Sequence, residues 1–253
     1  MKLYKRAAAL ILTAATLLSL APPVSAEGDR VTISSAKEFY ALVQNCTRDV
    51  WSQGVTVELT ADLDLSGSDF QPIPIFQGTF HGNGHTIRGI TYDHKGSTLG
   101  LFRTLTESAV VEGLCVEGLL EPQGSASQLG LLAGENYGAI RSCSAKGTVS
   151  GQEDVGGLVG VNGETGRIEG SSSQVQISGV TNVGGIAGQN LGTLDRCINT
   201  GALNSDPDQE IPTSVGGVAG LSRGTIQSCS NSGEIGYQHL GYNVGGIVGL
   251  QSG

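Results

Sequence analysis

Three carboxylates stand close together early in the chain, at Asp62, Asp64 and Asp69. Glycoside hydrolysis requires a pair of carboxyls held about 5–10 Å apart in a groove. Asp62 and Asp64 alternate along one strand face, which makes them the best placed pair for that chemistry. His81 and His85 are four apart, with Asp93 and His94 nearby, a spacing that ligates zinc on a helix. Here the span is a Gly-rich strand turn, which favours exposed imidazoles over ligands. Asp206, Asp208 and Glu210 offer a weak cation site but read as a solvated loop. No His-Glu-x-x-His, Cys-x-x-Cys or Gly-Gly-x-Gly-x-Asp run is present. The expectation is therefore no catalytic residue, no cofactor and no metal site. Tyr137, Tyr237 and Tyr242 with His239 form a candidate binding patch at one loop edge. With aromatics at 5% of the chain, scattered surface tyrosines are the simpler account of the same residues.

The cysteines are Cys46, Cys115, Cys143, Cys197 and Cys229, an odd number that leaves at least one unpaired. The last three occupy the same place in a repeat, with Ser171 filling the missing copy. That predicts an inward ladder of small residues, because a buried free Cys behaves as a small hydrophobe. A Cys197–Cys229 disulfide between neighbouring copies is the alternative, limited by strict disulfide geometry.

What must position all of these is the repeat. Val155-Gly-Gly-Leu-Val-Gly160 returns as Val183-Gly-Gly-Ile-Ala-Gly188, Val215-Gly-Gly-Val-Ala-Gly220 and Val244-Gly-Gly-Ile-Val-Gly249. Looser copies start at Leu129 and Leu99, so successive anchors lie 30, 26, 28, 32 and 29 residues apart. A second strand follows in each unit, as in Ala139 to Cys143, Arg167 to Ser171, Thr193 to Cys197 and Thr225 to Cys229. Short strands with apolar residues on alternate positions, bent at glycines, cannot bury their apolar side alone. Stacked in register at about 4.8 Å per rung they bury a continuous core. The spacing thus predicts an all-β fold, a right-handed parallel β-helix of 26–32-residue rungs. Asn136, Asn162 and Asn190, with Ser222, recur at one place, and Asn199 matches Asn231. These read as structural amide ladders, Asn also tolerating left-handed backbone. No Asp, Glu, Lys or Arg is expected to recur at one place on adjacent rungs.

Residues 27–95 read as a cap and first rungs, and 96–253 as the repeats. Val31 to Ile33 is a strand; Ser34 or Ser35 N-caps a helix from Ala36 to about Trp51, with Phe39, Leu42, Val43 and Cys46 on one face. Such a helix covers the open end of a solenoid. Val55 to Leu59 and Asp62 to Leu65 alternate as strands, and Phe76 to Ile87 forms two strands around Gly82-Asn-Gly84.

The order Leu59-Thr-Ala-Asp-Leu-Asp-Leu65, then Phe76-x-Gly-Thr-Phe-x-Gly-Asn-Gly-His-Thr-Ile87, Leu99-Gly-Leu-Phe102 and the Val-Gly-Gly units resembles bacterial surface proteins with GLUG repeats. It is also similar to the β-helical region preceding the protease domain of IgA-specific metallopeptidases. His81 departs from the Asp usual in that family. The resemblance spans roughly residues 31–253 and implies an adhesin-like or stalk-like extracellular role, with Asp62-Leu-Asp-Leu65 as structural pattern.

The first residues agree with export. Lys2, Lys5 and Arg6 precede an apolar run from Ala7 to Leu20, then small residues to Ala26. The run is shorter than the roughly 20 apolar residues of a membrane span. Cleavage after Ala26 is expected, an uncleaved anchor being the rival. It takes the formal charge from −9 to −12, which disfavours nucleic acid as a partner, and no later segment suits membrane insertion. Expected partners are host or cell-surface glycans or proteins. The rival functions are a polysaccharide-cleaving β-helix enzyme and the non-catalytic region of a larger secreted protease. Gly253 falls within the Val-Gly-Gly unit that starts at Val244, so continuation of the natural protein is a further expectation.

Overall fold

In a strand three residues long, an apolar residue between two polar ones has one choice: the middle side chain goes in and its neighbours go out. A computed structural model, describing residues 30–48, 50–204, 214–236 and 243–252, places eight strands of three or four residues side by side and parallel. Sheet 1 stacks Arg30–Ile33, Thr56–Leu59, Thr79–His81, Val110–Glu112, Ala139–Arg141, Arg167–Glu169, Thr193–Asp195 and Thr225–Gln227. Val57, Phe80, Val111, Ile140, Ile168 and Leu194 lie in register down its inner side, all fully buried. Each such side chain contributes about 1.5–3 kcal/mol by leaving water.

Each turn of chain leaves sheet 1 for sheet 2, whose strands are Leu63–Asp64, Thr86–Tyr92, Cys115–Leu120, Ser144–Ser150, Ser172–Ser178, Ile198–Asn199 and Ser230–Asn231. It then crosses sheet 3, made of Ser127–Leu129, Glu153–Gly156, Thr181–Gly184, Ser214–Gly216 and Asn243–Gly245. Sheet 4 closes the turn with Ile73–Phe76, Phe102–Leu105, Ala133–Asn136, Val159–Asn162, Ala187–Asn190, Ala219–Ser222 and Val248–Gln251. The result is a parallel β-solenoid of about seven turns. The strands flanking Gly82-Asn-Gly84 belong to sheets 1 and 2 and do not pair with each other. That turn is a corner of the solenoid, with Asn83 and Gly84 in the left-handed region, rather than a hairpin.

Close approach explains the Val-Gly-Gly-x-x-Gly signature at the bend from sheet 3 to sheet 4. A Cβ on Gly156 would sit 2.0 Å from the Val159 carbonyl oxygen. One on Gly157 would meet Ser173 Oγ at 2.1 Å, and one on Gly160 the backbone of Gln128 and Leu129, in the previous rung, at 2.4–2.5 Å.

The amide ladder forms as the repeat implies. Asn136 Nδ2 donates to Asn162 Oδ1 at 2.8 Å, Asn162 Nδ2 to Asn190 Oδ1 at 2.9 Å, and Asn190 Nδ2 to Ser222 Oγ at 3.1 Å. All four residues are fully buried. They sit in sheet 4 strands, so the left-handed role expected of them is wrong. Among the described residues, left-handed non-glycine backbone occurs instead at corners, as at Ser142, Arg196 and Ser228, and within sheet 3 strands, at Gln128, Asp154 and Asn182.

At the N-terminal end, helix α1 (Ala36–Asn45) starts at Ser35, whose hydroxyl accepts from Glu38 N–H. Glu38 returns the cap by accepting from Ser34 N–H at 2.8 Å. Phe39, Leu42 and Val43 enter the core. The helix stops well short of Trp51, contrary to expectation. Thr47 N–H and Arg48 N–H bond three residues back, to Gln44 and Asn45, tightening the last turn. Successive turns then fold Trp51 into the core beneath the helix.

Candidate interaction face

The conspicuous carboxylates are held as acceptors. Asp62 takes Thr86 N–H at 2.9 Å and approaches His85 Nδ1 at 3.2 Å, and these bonds keep its carboxyl below the usual range. Asp64 accepts from the Ser66 hydroxyl, from Ser66 N–H and from Arg88 Nε at 3.1 Å, which pull it down to about 2. A hydrolytic pair needs one carboxyl raised to serve as acid. Neither aspartate meets that requirement.

The histidines disperse. His81 Nδ1 lies 2.7 Å from Glu112 Oε1, His85 pairs with Asp62, and His94 approaches Asp69 and Asp93 at 3.7 and 3.3 Å. Among the described residues no three ligand-type side chains converge on one point. Of the candidate patch, Tyr237, His239 and Tyr242 lie outside the described residues, as do Asp206, Asp208, Glu210 and the leader sequence. Tyr137 is half-buried; its ring covers Gly163 in the next rung, where an added Cβ would lie 2.4 Å from ring carbons. Partial burial, then the neighbouring Glu135, raises its phenol.

Cys143, Ser171, Cys197 and Cys229 form a hydrogen-bonded column at the corner between sheets 1 and 2. Cys143 N–H donates to Ser171 Oγ at 3.1 Å, and Cys197 N–H to Cys229 Sγ at 3.3 Å. The Cys143 thiol in turn donates to the Arg141 carbonyl at 3.3 Å, and its burial pushes it up to about 12. A small side chain with both a donor and an acceptor is needed here, which Cys and Ser share. Cys143→Ala should cost about 0.5–1.5 kcal/mol through the lost thiol bond, since the Arg141 carbonyl keeps the Gly113 N–H, and Cys143→Ser less, as read by urea denaturation.

Charged residues do recur at one place on adjacent rungs, against expectation. On the outside of sheet 1, register aligns Glu58, His81, Glu112, Arg141, Glu169 and Asp195. On sheet 2 it aligns Asp64 with Arg88, and Glu117 with Lys146 and Gln174. The sign changes from Glu112 to Arg141 to Glu169 on sheet 1, and from Asp64 to Arg88 and Glu117 to Lys146 on sheet 2, while Glu169 and Asp195 are alike. Like charges about 4.8 Å apart would repel, whereas alternation lets each rung neutralise the next. Arg30 lies 3.6 Å from Glu58, and Arg141 3.6 Å from Glu169.

Two grooves follow these columns. One, of about 360 Å³, is lined by His81, Asn83, Glu112, Gly113, Arg141 and Ser142. The other, of about 370 Å³, includes Cys115, Glu117, Ser144, Lys146, Ser172 and Gln174 in its lining. The sequence carried a signal for the first column, since Arg141, Glu169, Asp195 and Gln227 all stand two residues before the Cys/Ser corner. A search for one recurring residue type passes over a column whose residue type varies from rung to rung.

Residues 125–150 and 151–178 match the GLUG motif. Halomucin of Haloquadratum walsbyi is 36% identical over 119 residues, which covers 40% of this chain and 1% of that protein. A candidate Gly-rich membrane protein of Evansella cellulosilytica is 33% identical over 96 residues, 36% of this chain and 11% of its own length. The chain therefore spans a small part of either relative. A crystal structure from Bacteroides ovatus, described as a candidate immunoglobulin A1 protease, superposes with a TM-score of 0.59. It covers 87% of this chain and 83% of that one at 18% identity, which establishes the shared fold. Among the described residues no helix is long and apolar enough to cross a membrane. These likenesses fit a surface or secreted repeat protein, and the chain carries the GLUG motif, whose glycines are the close-approach positions of its solenoid.

Proposed function

We propose that this chain is an extracellular, non-catalytic repeat that makes adhesin-like contacts with surface glycans or proteins through the outer faces of sheets 1 and 2. One observation carries the reading: its exposed charges are spread in columns, one per rung, and do not converge on a point. An array of weak, repeated contacts suits a surface that is itself repetitive, and a solenoid presents such a face without moving parts. Catalysis would instead gather groups with opposed proton affinities around one bond. The two best placed carboxylates, Asp62 and Asp64, are both fixed as strong acceptors.

Export with removal of residues 1–26 belongs to the same proposal, supported by the basic and apolar pattern of that segment. The test is to incubate residues 27–253 with a panel of bacterial and host glycans and matrix proteins. Saturable retention without new reducing ends or new peptide fragments is expected. Polymer cleavage that disappears in the Asp62→Asn, Asp64→Asn double variant would overturn the reading in favour of a glycosidase.

A further inference from the structure

We propose that Cys197 and Cys229 are a disulfide site that cross-links two successive rungs of the solenoid. All five cysteines are free thiols in the structure, and the corner geometry selects this pair among them. The residues that follow them, Ile198 and Ser230, are register partners in sheet 2. The two Cys backbones are therefore one rung apart, about 4.8 Å, within the Cα separation that a disulfide spans. Cys229 Sγ lies 3.3 Å from Cys197 N, while Cys197 Sγ donates to the Ile168 and Asp195 carbonyls, so the bond forms once the Cys197 side chain turns toward Cys229, with the two backbones already at disulfide spacing.

Other pairs fail on position. Cys143 meets Ser171 in the neighbouring rung, and Cys197 is two rungs away from it, beyond reach. Cys115 stands beside Cys143 on adjacent rungs, but Cys143 is buried inward while Cys115 lines an outer groove, so their side chains diverge. Cys46 is enclosed at the capped end, where burial pushes its thiol up to about 12.

The reaction is exchange with an oxidising disulfide of low molecular mass. The Cys229 thiolate attacks one sulfur of the reagent and expels the other as a thiolate, which takes up the proton Cys229 released. Cys197 then loses its proton and displaces the reagent's second thiol, leaving the Cys197–Cys229 bond. Two protein thiols are oxidised and one reagent disulfide is reduced to two thiols. Hydrogen bonds from Cys197 to Cys229 draw the Cys229 thiol down to about 7 and raise Cys197, which makes Cys229 the attacking sulfur. The bond bridges the widest gap between successive rung anchors, from Val183 to Val215. It ties the rungs on either side together independently of the residues inserted there.

The test is native incubation of the whole chain with oxidised glutathione, then intact-mass measurement and non-reducing peptide mapping after alkylation of free thiols. Expected are loss of two hydrogens, a linked Cys197–Cys229 peptide, and an upward shift of the thermal midpoint on oxidation. Cys229→Ser keeps the hydrogen-bonding pattern that Ser171 already uses, so it should fold and lose both the link and the shift. Alkylation of both Cys197 and Cys229 after oxidant treatment, or a linked peptide that contains Cys115 or Cys143 instead, would overturn the proposal.

Discussion

Gly184→Ala is expected to lower stability by about 3 kcal/mol or more, the upper range of overpacking costs. The added Cβ would lie 1.9 Å from the Ala187 carbonyl oxygen, 2.7 Å from Gly220 N and 2.8 Å from Ala219 Cα. All three contacts are backbone, one on the same turn and two on the next rung, so no side chain can rotate to make room. Relief would need rungs to separate, which breaks the ladder on both sides of the site. Because stability in a stacked array is a sum of rung and interface contributions, the damage should split the unfolding curve. Rungs before and after residue 184 would then melt apart, where the parent melts together. Thermal denaturation followed by circular dichroism reads this directly. Gly246→Ala is the control, since nothing lies within 4 Å of its would-be Cβ. It should change stability by less than about 0.5 kcal/mol. Equal effects from the two substitutions would mean that the close approach at the motif is not what selects glycine.

The amide ladder supplies the second large effect. Asn162→Ala should cost about 2–4 kcal/mol, because its side chain links both neighbouring members of a fully buried amide column. Asn190 Oδ1 loses its donor outright, Asn136 Nδ2 keeps only its 3.3 Å bond to the Gly138 carbonyl, and the Gly166 carbonyl keeps only the Thr193 N–H. None of these groups is exposed to water, and a buried polar group left unpaired costs about 1–3 kcal/mol. Ser222→Ala, at the other end of the column, deprives Asn190 Nδ2 of one partner while its 3.4 Å approach to the Thr225 carbonyl remains. A cost of about 1 kcal/mol is expected there. Urea midpoints for the pair give the comparison, and hydrogen exchange should show faster opening around residue 162 than around 222.

These two cases also mark what the sequence makes legible. The Val-Gly-Gly repeat announces stacked rungs because backbone sterics leave no substitute for glycine at 156, 157 and 160. The Asn column is equally visible, since a carboxamide both donates and accepts along the stack. Helix α1 was readable at its start, where Ser35 and Glu38 form a local cap. Its end was not, because the stop comes from Trp51 turning into the core, a tertiary event. The charged columns were hidden for a different reason. Their residues change type at every rung, and only the register of sheets 1 and 2 brings Glu112 beside Arg141, or Glu117 beside Lys146.

Those columns are also where the functional account stands or falls. The decisive measurement is retention of the purified chain on the surface polymer it binds, compared with a variant carrying Glu112→Gln, Arg141→Gln, Glu117→Gln and Lys146→Gln. These side chains are surface groups, so the variant should keep the parent's circular dichroism and lose less than about 1 kcal/mol per pair. The account predicts about tenfold weaker retention and a flatter dependence on salt, as expected when charges that guide contact are removed. Unchanged retention by a folded variant would contradict it and place the contact surface elsewhere on the solenoid.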